Sequence, residues 1–366
     1  MFEKTKALVD SFLEMNIPGF DLLVCKDGKE VLRYMNGVSD RLHQTPMRGD
    51  ELYDIFSCSK VITCTAALQL WEQGKFDLED ALSKYLPEYA DMTVREKDGT
   101  VRPAKNPIRI HNLFSMTAGF NYNLQTPQLL KMRAATGGKC PTREVARTLA
   151  TQPLDFDPGT HYQYSLCHDV LAALVEVLSG QEFSAYVKEH IFDVAGMTRS
   201  DFLLPMENYK NVLPLYRGID GTVKNTEVNP HFLGNVPMYR IGTQHASGGA
   251  GCVSTVEDYM KFLEALRTGK LLKDATVDMM AVNRLTPEQI KNDYNKAGYG
   301  YGLGVRTALP ESGKYDFGWG GAAGAYLAID KVNNITIFYA QHVTLSPVTS
   351  LRGKIYETVL EDLGLR

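Results

Sequence analysis

Leu8, Phe12 and Met15 recur at a helical spacing, so the first fifteen residues are predicted as an amphipathic helix that Pro18-Gly19 ends. The period then changes. Residues 20–26 and 30–36 read as strands, and Asp27-Gly28 between them is a strong hairpin signal. Near the other end, residues 299–306, 324–330 and 335–341 read as strands, with Val332-Asn333-Asn334 turning between the last two, before a final helix near 348–363. The middle is helical: 61–73 closed by Gly74, 169–178 closed by Ser179-Gly180, 183–192, and 256–267 closed by Gly269. Strands at both ends with helices between them predict an α/β fold of the α+β type. An antiparallel sheet flanked by helices is built from both termini, residues 1–56 and 252–366, and a mainly helical insert spans 57–251. The cleft between the two is the expected site.

The 366 residues are 44% apolar, enough for substantial cores. Lys plus Arg number 39 against 43 Asp plus Glu, and a net charge of -4 offers no basic field to a phosphate backbone, so no nucleic-acid partner is expected. Charges at Glu3, Lys4, Lys6, Asp10 and Glu14 interrupt any apolar leader, and no apolar run approaches the roughly 20 residues of a membrane span. A cytoplasmic protein without a membrane partner is expected, its six cysteines reduced because none forms a C-x-x-C pair.

Eight histidines contain no H-E-x-x-H and no paired spacing on one helix face, so no metal is expected. The run Gly298-Tyr-Gly-Tyr-Gly-Leu-Gly304 has a period of two and never satisfies G-x-G-x-x-G; with neither a Walker loop nor a G-x-S-x-G elbow, no cofactor is expected. Ser57-Cys58-Ser59-Lys60 is the only S-x-x-K. It lies where a β-like segment, 52–56, passes into the helix 61–73, which puts Lys60 on the face of Ser57 at the positive end of a helix dipole. An amine so placed can take the hydroxyl proton, although the tetrad alone fits better a capping serine beside a solvated lysine. Tyr162-Gln163-Tyr164-Ser165-Leu166 precedes a helix, and Phe317-Gly318-Trp319-Gly320-Gly321-Ala322-Ala323-Gly324 exposes backbone N–H groups to a ligand or makes a plain turn.

These motifs stand in a recognisable order. Tyr53-Asp-Ile-Phe-Ser-Cys-Ser-Lys60, Ala67-Leu-Gln-Leu-Trp-Glu-Gln-Gly-Lys75, Leu82-Ser-Lys-Tyr-Leu-Pro87 and Ile108-Arg-Ile-His-Asn-Leu-Phe-Ser-Met-Thr-Ala-Gly-Phe120 come first. Pro158-Gly159 with Tyr164-Ser165, then Ser247-Gly-Gly-Ala-Gly251 with Ser254-Thr255, follow. Over nearly the whole chain this resembles the serine β-lactamase-like, penicillin-binding-protein-like hydrolases, especially class C β-lactamases and family VIII carboxylesterases. The resemblance implies Ser57 as the acylated nucleophile, Lys60 as its proton acceptor or relay, Tyr164 as second member of the proton-shuttling pair, and the backbone N–H groups of Ser57 and Ala322 as the oxyanion hole.

Two departures bear on substrate. Leu166 stands where Tyr-x-Asn is usual, and Trp319-Gly320-Gly321 stands where β-lactamases have Lys-Thr-Gly, so the cleft is expected to lack a cation for a substrate carboxylate. Trp-Gly-Gly is similar to the esterase branch, and Trp319, Gly320, Gly321, Phe120 and Tyr122 are the expected substrate-binding residues, with Tyr326 adding to an apolar wall. The expectation is a serine carboxylesterase that cleaves small or medium acyl esters, with acyl transfer as a variant. A β-lactamase, D,D-peptidase or D-amino-acid amidase is the alternative, and a non-catalytic binding or sensor protein the second.

Overall fold

Asp27 and Gly28 both adopt positive φ, 53° and 76°, and join strand β1 (Gly19–Lys26) to β2 (Lys29–Asp40), the backbone that a two-residue hairpin requires. In this computed structural model, which describes residues 1–219, 222–223, 232–233 and 236–366, the hairpin supplies two adjoining strands of one eight-stranded sheet; His231 lies outside the described residues. Its other strands are β3 (Thr45–Pro46), β4 (Tyr299–Tyr301), β5 (Arg306–Ala308), β6 (Asp316–Gly320), β7 (Tyr326–Asp330) and β8 (Ile335–Ala340). The order is β4-β5-β6-β7-β8-β1-β2-β3 with every neighbour antiparallel. β1 meets β8 from Asp21 opposite Ala340 to Lys26 opposite Ile335, so both ends of the chain share the sheet.

Five helices position the site: α1 (Glu3–Glu14), α2 (Ser59–Glu72), α3 (Cys167–Ser179), α4 (Val256–Arg267) and α5 (Lys354–Asp362). Alternate residues of the central strands go to opposite cores. Leu22, Val24, Ile337 and Tyr339 pack with Val9, Phe12, Ile355 and Val359 of α1 and α5. Leu23, Cys25, Phe338 and Ala340 pack with Tyr259, Phe262 and Leu263 of α4 and, beyond it, the helical region. Burial on both faces is why these strands read as near-continuous apolar runs. α2 is buried from Ser59 through Leu68, so it has no single apolar stripe and reads as apolar all round. Among the described residues no single helix is long and apolar enough to cross a membrane.

Three expectations change. Residues 299–306 form two strands rather than one, because the chain folds back through Gly302 and Gly304; Gly304 has φ +83°, and a Cβ on Gly302 would lie 2.2 Å from the Met280 carbonyl oxygen. Part of the glycine run expected to expose backbone N–H groups to a ligand or to make a plain turn is strand β6, paired on both sides, and a Cβ on Gly318 would lie 2.2 Å from the Leu327 carbonyl oxygen. The last helix begins at Lys354 rather than near residue 348.

Candidate active site

The segment leading to Ser57 is anchored before it turns. Tyr53 and Asp54 pair with Ser254 and Val253. Phe56 then takes a left-handed φ of 43° although it has a bulky side chain, a conformation that costs about 1–3 kcal/mol and persists only where the surroundings hold it. They do: the Phe56 ring is buried edge-on against Tyr239, Cys252 N–H donates to Ser59 Oγ at 3.0 Å, and Tyr259 Oη donates to the Cys58 carbonyl at 2.8 Å. Phe56–Cys58 form one tight turn running straight into α2, and this brings the Ser57 hydroxyl to the edge of a cavity.

Two groups converge on Ser57 Oγ. Tyr164 Oη shares a 2.6 Å hydrogen bond with it, and Lys60 Nζ stands 3.5 Å away. Lys60 is fully buried, and its ammonium donates to the Gly249 carbonyl at 2.7 Å. It also lies 4.4 Å from the Tyr164 ring centroid and 5.3 Å from that of Tyr122, within cation–π range of both. No carboxylate among the described residues pairs with it directly. Asp169 lies across Gly249: a Cβ there would stand 2.7 Å from Asp169 Oδ2, 3.2 Å from Tyr122 Oη and 3.4 Å from Lys60 Nζ, so only glycine fits. Asp169 Oδ1 accepts from Ser247 Oγ at 2.7 Å and faces His245 Nε2 at 3.2 Å. His245 Nδ1 accepts the Ile241 N–H, which leaves Nε2 to carry the proton toward the carboxylate. Burial alone pushes the Asp169 carboxyl up, but His245, Ser247 and the Lys60 charge together outweigh it and hold it below the usual range.

The cavity of about 430 Å³ is lined by Ser57, Tyr164, Trp319 and the run Gly320-Gly321-Ala322, with Tyr162, Tyr294, Leu345 and Thr349 around them. Trp319 stacks on Tyr164 at 5.7 Å and 24°, and Tyr122 stacks on it at 5.6 Å and 11°, so two aromatic contacts hold the Tyr164 ring. A Cβ on Gly321 would lie 2.4 Å from the Ile55 carbonyl oxygen. That glycine therefore lets the end of β6 close against the segment before Ser57, which brings Ala322 to the cavity wall.

Residues 5–354 match the β-lactamase family model. The chain belongs to the β-lactamase family. Lovastatin esterase of Penicillium rubens is 28% identical, with 87% of this chain and 86% of that one covered. Esterase EstB of Burkholderia gladioli is 27% identical, with 94% and 92% covered. The solved structure of EstCE1, described as a hydrolase with promiscuous acyltransferase activity, superposes with a TM-score of 0.80 at 23% identity, covering 98% of this chain and 97% of that one. That likeness fixes the antiparallel α+β fold.

Within this β-lactamase-family fold, Ser57, Lys60, Tyr164, Trp319, Gly320, Gly321 and Ala322 come together, and Tyr122 joins them through Lys60 and Tyr164 rather than through the cavity wall. Phe120 does not: it is buried in the core, edge-on to Tyr89 at 6.0 Å. Tyr326 is likewise buried, on the sheet face toward α1 and α5. Leu166 is buried at the start of α3, where an amide would have no aqueous partner. The expected lack of a cation is also corrected, since Lys296 and Arg352 both line the cavity. Lys296, Asp169 and His245 escaped the sequence reading, and Ser247 entered it only as the head of a glycine-rich motif. Asp169 offered one signal, a carboxylate beside Val170-Leu-Ala-Ala-Leu-Val175, but an acid in a helix's first turn is ordinary.

Proposed function

We propose that this protein is a serine esterase that cleaves small or medium acyl esters through a covalent acyl-enzyme on Ser57. The observation that carries this reading is the convergence of Tyr164 Oη and Lys60 Nζ on Ser57 Oγ, at 2.6 and 3.5 Å, beside a cavity walled by Trp319. The Tyr164–Lys60 pair takes the Ser57 proton as Oγ attacks the ester carbonyl, and the Lys60 charge lies against the ring where negative charge develops. The Ser57 and Ala322 N–H groups hold the oxyanion. As the tetrahedral adduct collapses, the pair returns the proton to the departing alkoxide; water or a second alcohol, deprotonated by the same pair, then releases the acyl group. Attack by an alcohol is acyl transfer. The esterase names of two relatives above a quarter identical support this reading. Trp319 and Leu166, in place of the lysine and asparagine of β-lactam-cleaving relatives, weigh against the β-lactamase and D,D-peptidase alternative. The six unpaired, buried thiols favour a reducing compartment such as the cytoplasm.

Intact-mass and peptide mapping after treatment with a fluorophosphonate tests the assignment. One adduct per chain on the peptide carrying Ser57, with p-nitrophenyl butyrate hydrolysis lost in step, is expected. An adduct on Ser59 or Ser165, or hydrolysis that survives Ser57→Ala, overturns it.

A further inference from the structure

Leu345 stands in the wall of the Ser57 cavity in a state that packing does not account for. Its side chain is 66% exposed and its backbone is left-handed, with φ +50°. Among the described residues it alone combines a large exposed apolar side chain with a positive φ: Phe2, Phe56 and Met116 are left-handed but buried, and Tyr239 is half-buried. The backbone around it is fixed from several directions. Val343 N–H donates to the carbonyl of Ala323, the neighbour of Ala322, at 2.9 Å. Val343 and Thr344 pair in parallel with Tyr216 and Arg217, and Thr344 Oγ1 donates to the Tyr216 carbonyl at 3.1 Å. Gln341 Nε2 donates to Ser346 Oγ at 2.6 Å, and a Cβ on Gly218 would lie 2.2 Å from the Leu345 carbonyl oxygen. These contacts impose the left-handed turn whatever side chain stands there, and glycine or asparagine would make it with less strain. The fold therefore needs the turn but not the leucine. Among the large apolar side chains of the lining, Tyr162, Tyr164 and Trp319 are half-buried and Tyr294 is buried, so Leu345 alone is exposed. A strained apolar side chain on a rigid loop, tied to the segment beside the nucleophile, leaves water only when something apolar enters the cavity.

We propose that Leu345 is a specificity-determining residue, and that an alkyl chain of the ester, on its acyl or its alcohol side, lies against it. This rests on the esterase reading and adds the substrate class to it: of the small and medium esters, the site selects those whose chain reaches Leu345.

The test is calorimetric binding to the Ser57→Ala variant, which separates recognition from turnover. On the acyl side, p-nitrophenyl hexanoate is compared with p-nitrophenyl acetate; on the alcohol side, hexyl acetate is compared with ethyl acetate. In one of the pairs the longer ester should bind about tenfold more tightly or better. Adding Leu345→Asn, which suits the left-handed turn but removes the apolar surface, should abolish about fivefold or more of that preference with the melting temperature unchanged or raised. Adding Leu345→Met should keep the preference. Equal binding within both pairs, a preference that survives Leu345→Asn, or a loss that comes with a lower melting temperature overturns the proposal. The parent reading is scored separately by turnover in the unmodified enzyme: hydrolysis with a chain-length preference indifferent to Leu345→Asn sinks only the role of Leu345, whereas chain-selective binding that depends on Leu345 with no hydrolysis of any of the four esters sinks only the esterase.

Discussion

Tyr164 Oη lies 2.6 Å from Ser57 Oγ, nearer than Lys60 Nζ at 3.5 Å, and its ring stacks on both Trp319 and Tyr122. The hydroxyl that meets Ser57 Oγ is therefore aimed by stacking, while Lys60 Nζ faces the same ring at 4.4 Å.

A proton-transfer unit of this kind should not divide into independent parts. Lys60→Ala and Tyr164→Phe are each expected to lower kcat by about 10²–10⁴-fold, and the double variant should be little worse than the poorer single. Losses that multiply would show two independent roles.

The stack also decides what Trp319→Lys does. Two cations already face the cavity, so a third should bring no gain in nitrocefin hydrolysis, while ester kcat falls at least tenfold as the Tyr164 ring loses that contact. The pair of kcat/KM values reads this directly, and a marked rise with nitrocefin would mean that charge at position 319 sets the preference.

Asp169 is expected to act as a positioning residue for the Lys60 side chain. Asp169→Asn keeps an acceptor for Ser247 but removes the buried negative charge across Gly249 from Lys60. The expected result is a tenfold or greater fall in kcat with little change in KM. A merely structural role would lower the melting temperature and move KM along with kcat.

His168 supplies a test by stability. Its imidazole is pushed down from 6.5 to about 3, by burial first and then by the Lys60 charge. Between those values the unfolded chain binds the extra proton, so stability is fully present above 6.5 and is lost as pH falls toward 3. Denaturant titrations of His168→Asn should show a slope over that range shallower than the parent's by about 1.4 kcal/mol per pH unit. Parallel curves would mean that the imidazole is already charged in the native state.

The hairpin at Asp27-Gly28 and the S-x-x-K helix start were legible because each is a local device whose residues dictate the backbone. β6 was not, since its glycines read as a turn or as exposed backbone and only partners ten or so residues away on either side make it a strand. Phe120 was misassigned because aromatic character cannot say which side of a turn faces the cleft. Asp169, His245 and Ser247 meet across more than seventy residues, and Lys296 reaches Trp319 from a separate loop, so no spacing rule connects them.

The union of β1 with β8 has a consequence for the order of events in synthesis. Residues 21–26 wait for residues 335–340, a delay of about 15–60 s at 5–20 residues per second. Through that interval the newborn hairpin presents a bare edge, a template for pairing with the wrong chain. Ser57 emerges early in the same interval, yet Trp319, Gly321 and Ala322 arrive only at its close. For most of translation Ser57 is therefore present without Trp319, Gly321 and Ala322, and a chain cut short before β8 leaves the β1 edge without its partner.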